Sequence, residues 1–261
     1  MKALHIAATG MAAQQMKVDV VSNNLANMST TGYNARRADF ADLHYQQLAR
    51  PGTVSASDGT MLPAGVQIGL GVRPAAVSVV LAQGSLSATG GDLDLAIDGT
   101  GYLEVTLPSG GSAYTRDGSL KRSAEGQIVT SDGYSVAPGI TIPQDATSIA
   151  INVEGEVYAY FENQVQPQLL GQLTLTGFVN EKGLEAIGSN LFLETAASGT
   201  PIVANPGSDG MGSLRQGYLE ESSVDAVREI TELIKAQRGY ELNAKVITAA
   251  DQMLAATTQV R

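Results

Sequence analysis

The chain has 261 residues, 43% of them hydrophobic, which is long enough to bury a core and too apolar to be disordered as a whole. Its net charge of −10 argues against nucleic acid and acidic membrane surfaces, since phosphate binding needs clustered Lys and Arg and the only tight basic pairs are Arg36–Arg37 and Lys121–Arg122. The lack of cysteine removes disulfides, Cys-based zinc sites and thiol catalysis, and no apolar run approaches the ~20 residues of a membrane helix.

The N-terminal segment, Met1 to Ala13, has the look of a short signal peptide. His5, Thr9 and Gly10 interrupt the apolar run that such a segment needs, and the helical pattern continues past it. Leu4, Met11, Val18 and Leu25 recur every seven residues, with Ala7, Gln14, Val21 and Met28 three positions behind. This is a heptad seam with one polar interruption. Gly10 weakens the helix by about 1 kcal/mol relative to Ala. The Asn-rich run Ser22-Asn-Asn-Leu-Ala-Asn27 is expected to fray the helix end, and Gly32 to stop it.

From Gln46 to Pro74 neither helical nor strand periodicity holds. Pro51, Gly52, Pro63, Gly65, Gly69, Gly71 and Pro74 punctuate this stretch. A free loop of that length is unusual in a compact domain, so it needs a partner surface or stays mobile.

The middle reads as antiparallel β structure from about 81 to 210. Asp-Gly pairs at 58–59, 98–99, 117–118, 132–133 and 209–210 favour tight turns. Alternating runs lie at Asp92–Asp98, Tyr102–Leu107, Ile149–Val153 and Gln172–Thr176. Asp92, Asp94 and Asp98 resemble a calcium loop, but both registers put an apolar residue (Leu103 or Val105) where the bidentate Glu belongs. They read instead as the solvent face of a strand whose Leu93, Leu95 and Ile97 face a core. Gly69-Leu-Gly71 and Gly99-Thr-Gly101 are turns and not a dinucleotide fingerprint. With His5 and His44 as the only histidines, no catalytic or metal constellation assembles. The expectation is therefore no catalytic, cofactor or metal residues, and no enzyme.

The C-terminal segment is the stronger helix. Between Val224 and Thr258 it has no Pro and one Gly, Gly239. Ala226, Leu233, Tyr240, Ile247 and Leu254 form a seven-step column, flanked by Ile230, Ala244 and Ala250. Ser222 or Ser223 is the expected N-cap. At 1.5 Å per residue the helix runs about 50 Å, too long to hide inside a domain of this size. All nine prolines and 22 of the 29 glycines lie between Pro51 and Pro206, so the ends differ in kind from the middle. The fold expected is α+β: long N- and C-terminal helices pairing as a coiled coil, a central antiparallel β-rich domain and an extended Pro/Gly-rich stretch.

Ser22-Asn-Asn-Leu-Ala-Asn27 followed by Thr31-Gly-Tyr33 resembles the N-terminal signature of the flagellar rod and hook proteins. Gln216 to Val224 and Leu233-Ile-Lys-Ala-Gln-Arg-Gly-Tyr240 resemble their C-terminal region. Leu93–Gly99, Tyr114–Ser119 and Gly188-Ser-Asn-Leu191 agree as well, so the resemblance covers essentially the whole chain. Ala38–Tyr45 and Val66–Pro74 are similar to the distal-rod branch of that family, while Gly239 departs from it, the family more often showing Ala there. The resemblance implies a structural subunit of the distal rod, polymerised into a rigid hollow helical drive shaft. That shaft spans the periplasm, carries torque from motor to hook and forms part of the export channel. The implied partners are copies of the chain itself, the proximal rod proteins, the hook protein, the P-ring and L-ring proteins and the flagellar export apparatus, with delivery through the type III channel and no cleaved signal. No nucleic acid and no membrane insertion are implied.

Under this reading residues 1–36 are the N-terminal axial helix and signature. Residues 37–80 form a linker holding the extended stretch, 81–210 the outer β domain, and 211–261 the C-terminal linker and axial helix. Assembly contacts are expected at Leu4, Met11, Val18, Leu25, Asn23, Asn24, Asn27, Leu233, Tyr240, Ile247 and Leu254. The stretch from Pro51 to Pro74 is expected to stiffen the rod by lying across neighbouring subunits, and the acidic β domain to face outward, toward the rings. Two other readings remain: a proximal rod or hook protein, and a secreted β-rich enzyme or carbohydrate-binding module, which the lack of Trp disfavours.

Overall fold

The structure is a computed structural model describing residues 2–51, 64–162, 164–208 and 210–259. Gly52, Pro63 and the Asp58–Gly59 pair lie outside the described residues. The chain divides into two units. One comprises the N-terminal residues to Leu25, Arg36–Ser78 and the residues from Asp225 onward; the other comprises Ala26–Ala35 and Val79–Val224.

The first unit holds the two helices, α1 (Lys2–Ala26) and α2 (Ala226–Gln259). No helix among the described residues is long and apolar enough to cross a membrane. The N-terminus of α2 is capped by Asp225, whose Oδ1 accepts the N–H groups of Val227 at 3.0 Å and Arg228 at 3.2 Å. Ser222 and Ser223 are not the cap. Asp225 sits one residue before the helix, where its carboxylate meets the unpaired amides and the positive end of the dipole. The Asn-rich end of α1 does not fray: the helix runs through Ala26 and Asn24 is buried.

The two helices run antiparallel, and the expected coiled coil is not what joins them. Gly10 approaches Asn243, Gln14 approaches Gly239, Lys17 pairs with Glu232 and Asn24 with Glu229. Every one of these contacts is small or polar. At 100° per residue they lie about a quarter turn from the column Leu4, Met11, Val18, Leu25, which is only half-buried. On α2 the buried stripe is Glu229, Ala236 and Ala250, while Tyr240 and Leu254 of the expected column are exposed. A coiled coil needs large apolar knobs at its seam positions. Here glycines and alanines admit close approach instead, so the fold is α+β without a coiled coil.

The stretch after α1 is more regular than its composition implied. Strand β1 (Arg36–Asp42) pairs with β4 (Val72–Val79), and β2 (Tyr45–Ala49) pairs antiparallel with β3 (Val66–Gly69). Leu43 N–H donates to Gly71 O at 2.8 Å and Leu70 N–H to His44 O at 3.2 Å, which carries the ladder from one pair into the other. The result is a long two-stranded ribbon. Both strands of such a ribbon are edges, so Pro74 costs no interior ladder bond.

The second unit is the β domain. Among the described residues its main sheet has nine strands, built around Tyr102–Thr106 and Ser112–Thr115. These two form a hairpin with Leu103 opposite Thr115 and Val105 opposite Ala113. Ser148–Ile151, Glu156–Tyr160 and Gln168–Gln172 form a three-stranded antiparallel sheet. Leu95, Ile97, Leu103, Val105, Ile128, Val136, Val157, Leu173 and Leu175 make one contiguous core. Tyr102, Tyr114, Phe178 and Phe192 form an edge-to-face aromatic cluster. Asp98 pairs with Arg215 at 2.7 Å and Asp94 accepts from the Thr89 hydroxyl at 2.5 Å, while Leu95 and Ile97 are buried.

Candidate assembly surface

In the first unit the helix contact is held by charge and amides. Lys17 Nζ lies 2.5 Å from Glu232 Oε2, and Lys235 Nζ lies 2.7 Å from Glu232 Oε1. The two ammonium groups hold the Glu232 carboxyl far below its ordinary value, at about 2. The Lys235 partner is the familiar one-turn Glu–Lys pair on a helix surface. Asn243 donates to Gly239 O at 3.0 Å, so its amide lies along its own helix where Gly10 leaves room.

The ribbon comes close to α1 at Gly71. Gly71 has φ +121°, and a Cβ there would fall 2.2 Å from the Thr9 hydroxyl oxygen. That same oxygen accepts the Val72 N–H at 3.3 Å. Gly71 is thus required twice, by backbone conformation and by close approach. Further along, Lys2 Nζ donates to Gln46 Oε1.

The signature motifs of the β domain meet at a buried ion pair. Arg116 donates from Nε to Glu220 Oε2 at 2.9 Å, from Nη1 to Gly101 O and from Nη2 to Gly99 O, both at 3.1 Å. Glu220 Oε1 accepts the Gly84 N–H at 3.0 Å. Gly32 sits directly on Arg116: its φ is +64°, a Cβ would meet the Arg116 carbonyl at 2.9 Å, and its N–H donates to Glu220 O at 2.8 Å. Tyr102 lies under the guanidinium at 5.9 Å and donates to Glu181 at 3.0 Å. Burial and the Glu181 carboxylate push the Tyr102 phenol well above its ordinary range. The pair is therefore a structural pin, tying together the five separated segments at Gly32, Gly84, Gly99–Gly101, Arg116 and Glu220.

The residues named from the sequence distribute unevenly. Leu4, Met11, Val18 and Leu25 are half-buried on α1; Asn23 is exposed, Asn24 buried and Asn27 intermediate. On α2, Leu233 and Ile247 are half-buried, Tyr240 and Leu254 exposed. Of the stretch after β1, Pro51 and Pro74 are exposed, while Gly65, Gly69 and Gly71 are partly buried on the ribbon. His5 and His44 are exposed, on α1 and in the ribbon. Sequence reasoning gave no role to Arg116, Glu220, Glu229 or Glu232, although Arg116 and Glu220 lie inside the signature stretches Tyr114–Ser119 and Gln216–Val224 and Glu232 has Lys235 three positions on. Large apolar side chains remain uncovered on both elements: Tyr45, Leu48, Val66 and Ile68 on the ribbon, and Val227, Ile230, Ile234, Leu242 and Val246 on α2.

Three family descriptions fall on this chain. Residues 4–34 match "Flagella basal body rod protein", 96–159 match "Flagellar hook protein FlgE/F/G D1 domain", and 215–260 match "Flagellar basal body rod FlgEFG protein C-terminal". Together with the helices at both ends and the β domain between them, these define the axial proteins of the bacterial flagellum. Among curated relatives, the flagellar basal-body rod protein FlgG of Caulobacter vibrioides is 56% identical over 261 residues, covering 100% of each chain. The protein of the same description in Borreliella burgdorferi is 47% identical, covering 97% of this chain and 96% of the relative. That of Bacillus subtilis is 39% identical, covering 97% of each. The chain belongs to the FlgG family of flagellar basal-body rod proteins, a structural subunit of the distal rod.

Proposed function

We propose that copies of this chain assemble head to tail into a rigid, hollow helical tube that spans the periplasm, transmits torque from the motor to the hook and forms part of the export channel. A head-to-tail interface whose rotation does not close generates such a polymer. The observation that carries this reading is the uncovered row Val227, Ile230 and Ile234, on the side of α2 opposite the stripe that meets α1, with Leu242 and Val246 also uncovered further along the helix. A contiguous apolar face of this kind calls for a protein partner. Leu4, Met11, Val18, Tyr240 and Ile247 are further assembly contacts.

The ribbon lies across adjacent subunits and locks them against sliding. Its support is physical: an isolated two-stranded ribbon is marginal in water, and this one exposes Tyr45, Leu48, Val66 and Ile68. Residues 81–210 face outward toward the P-ring and L-ring proteins. Between Arg122 and Lys182 the sequence holds seven acidic residues and no Lys or Arg, a surface that resists non-specific sticking. The proximal rod proteins, the hook protein and the export apparatus are the remaining partners.

Removing residues 225–261 tests the assembly role. The β domain holds its own core, so its strands should keep their circular dichroism while polymerisation is lost. A truncated chain that still forms filaments contradicts the proposal.

A further inference from the structure

We propose that Asn24 is the joint that holds the first strand of the ribbon against both axial helices, and so sets the line along which the ribbon leaves them. This rests on the reading of the ribbon as the stiffening element. Asn24 is 1% exposed, near the C-terminal end of α1. Its Oδ1 accepts the Arg36 N–H at 2.9 Å and its Nδ2 donates to Arg36 O at 2.8 Å. That is the pair of bonds a neighbouring strand residue exchanges in an antiparallel ladder, so the carboxamide stands in for a strand at the first residue of β1. The Nδ2 group also donates to Glu229 Oε2 at 3.2 Å. Glu229 is itself buried in the first turn of α2, where the helix dipole favours a carboxylate.

One side chain thus touches α1, α2 and β1 at once. The chemistry explains why it is asparagine. Aspartate cannot donate to Arg36 O and would set a second buried carboxylate against Glu229. Serine is too short to bond both backbone groups. Glutamine adds a methylene to a side chain that is already fully buried, which displaces the carboxamide from Arg36.

The test reads hydrogen exchange at Arg36 in the purified full-length chain, together with rod shape in cells lacking the native subunit. In Asn24→Ala the Arg36 amide should exchange on the order of tenfold faster, as expected for loss of about one buried hydrogen bond, with helix content unchanged. Asn24→Asp should be worse, and adding Glu229→Gln to it should slow exchange again, because the new amide donates to the new carboxylate. That rescue is not expected if Asn24 merely fills space. Rods of the Asn24→Ala chain should be curved. An Arg36 amide that exchanges at the parent rate in Asn24→Ala overturns the joint, as does an Asn24→Asp chain that Glu229→Gln does not rescue. Faster exchange with rods still straight upholds the joint and sinks the stiffening role of the ribbon.

Discussion

Arg116 and Glu220 are side chains that a sequence pattern discounts, because charged residues are assumed to lie on the surface. They are 7% and 3% exposed, and all three nitrogens of the guanidinium have an acceptor. Removing one partner of such a pair leaves an unpaired buried charge. Arg116→Ala should therefore destabilise the β domain by about 3–5 kcal/mol in denaturant unfolding. Gly71→Ala is argued at the same scale. The φ of +121° and the Thr9 hydroxyl both oppose a Cβ, so the base of the ribbon should loosen by about 1–3 kcal/mol, read as faster exchange of the Val72 amide. Adding Thr9→Ala relieves the clash but not the backbone strain, so recovery should be partial. Glu232 gives a pH dependence. Its carboxyl is held at about 2 in the folded chain against an ordinary value of 4.5, so its ionised form favours the folded state. That contribution is complete above about pH 4.5 and fades as pH falls toward 2. Lys17→Met should move the Glu232 midpoint back up in an NMR titration, and the helix contact should become less sensitive to acid.

At the scale of elements, both terminal helices were legible, because Pro is absent from them, Gly is rare and apolar residues recur every seven positions. What they pack against was not. The α1–α2 contact uses Gly10, Gln14, Lys17, Asn24, Glu229, Glu232, Gly239 and Asn243; of these the heptad pattern held only Gln14, as its interruption, and Asn24 came from the signature motif. Gly239 illustrates this. It departs from the Ala that the family more often shows there, and it makes room for Gln14, which lies 3.0 Å from where a Cβ would stand. Because that neighbour is a flexible tail, Gly239→Ala should be tolerated, with a gain in helix propensity of up to about 1 kcal/mol offset by the displaced amide. The ribbon was missed for a different reason. Val66, Ile68, Leu70 and Val72 do alternate with Gln67, Gly69, Gly71 and Arg73, but the prolines and glycines of the surrounding stretch read as a loop and outweighed that run. Deleting residues 46–70 should give curved, flexible rods by electron microscopy. Rods that stay straight would rule out a stiffening role.

At the scale of the whole molecule, the chain passes between its two units four times, at Leu25–Ala26, Ala35–Arg36, Ser78–Val79 and Val224–Asp225. The sequence marks the last of these by the onset of a clean helix. It does not mark the first two, because Ala26–Ala35 joins the β domain through contacts distant in sequence: Gly32 seated on Arg116, Asn190 donating to Thr31 O, and Ser223 bonding Tyr33 and Ala35. The β domain itself was readable from its turns and alternating runs, and its core forms from residues such as Leu95, Ile97, Leu103 and Val105 in those runs. No stretch of this sequence signals self-assembly by periodicity alone. That conclusion rests on family membership and on the apolar row left open along α2. Electron microscopy of the purified full-length chain under assembly conditions tests it most directly. The account predicts straight, hollow filaments of uniform diameter, and a solution of monomers with no filaments at any concentration would contradict it.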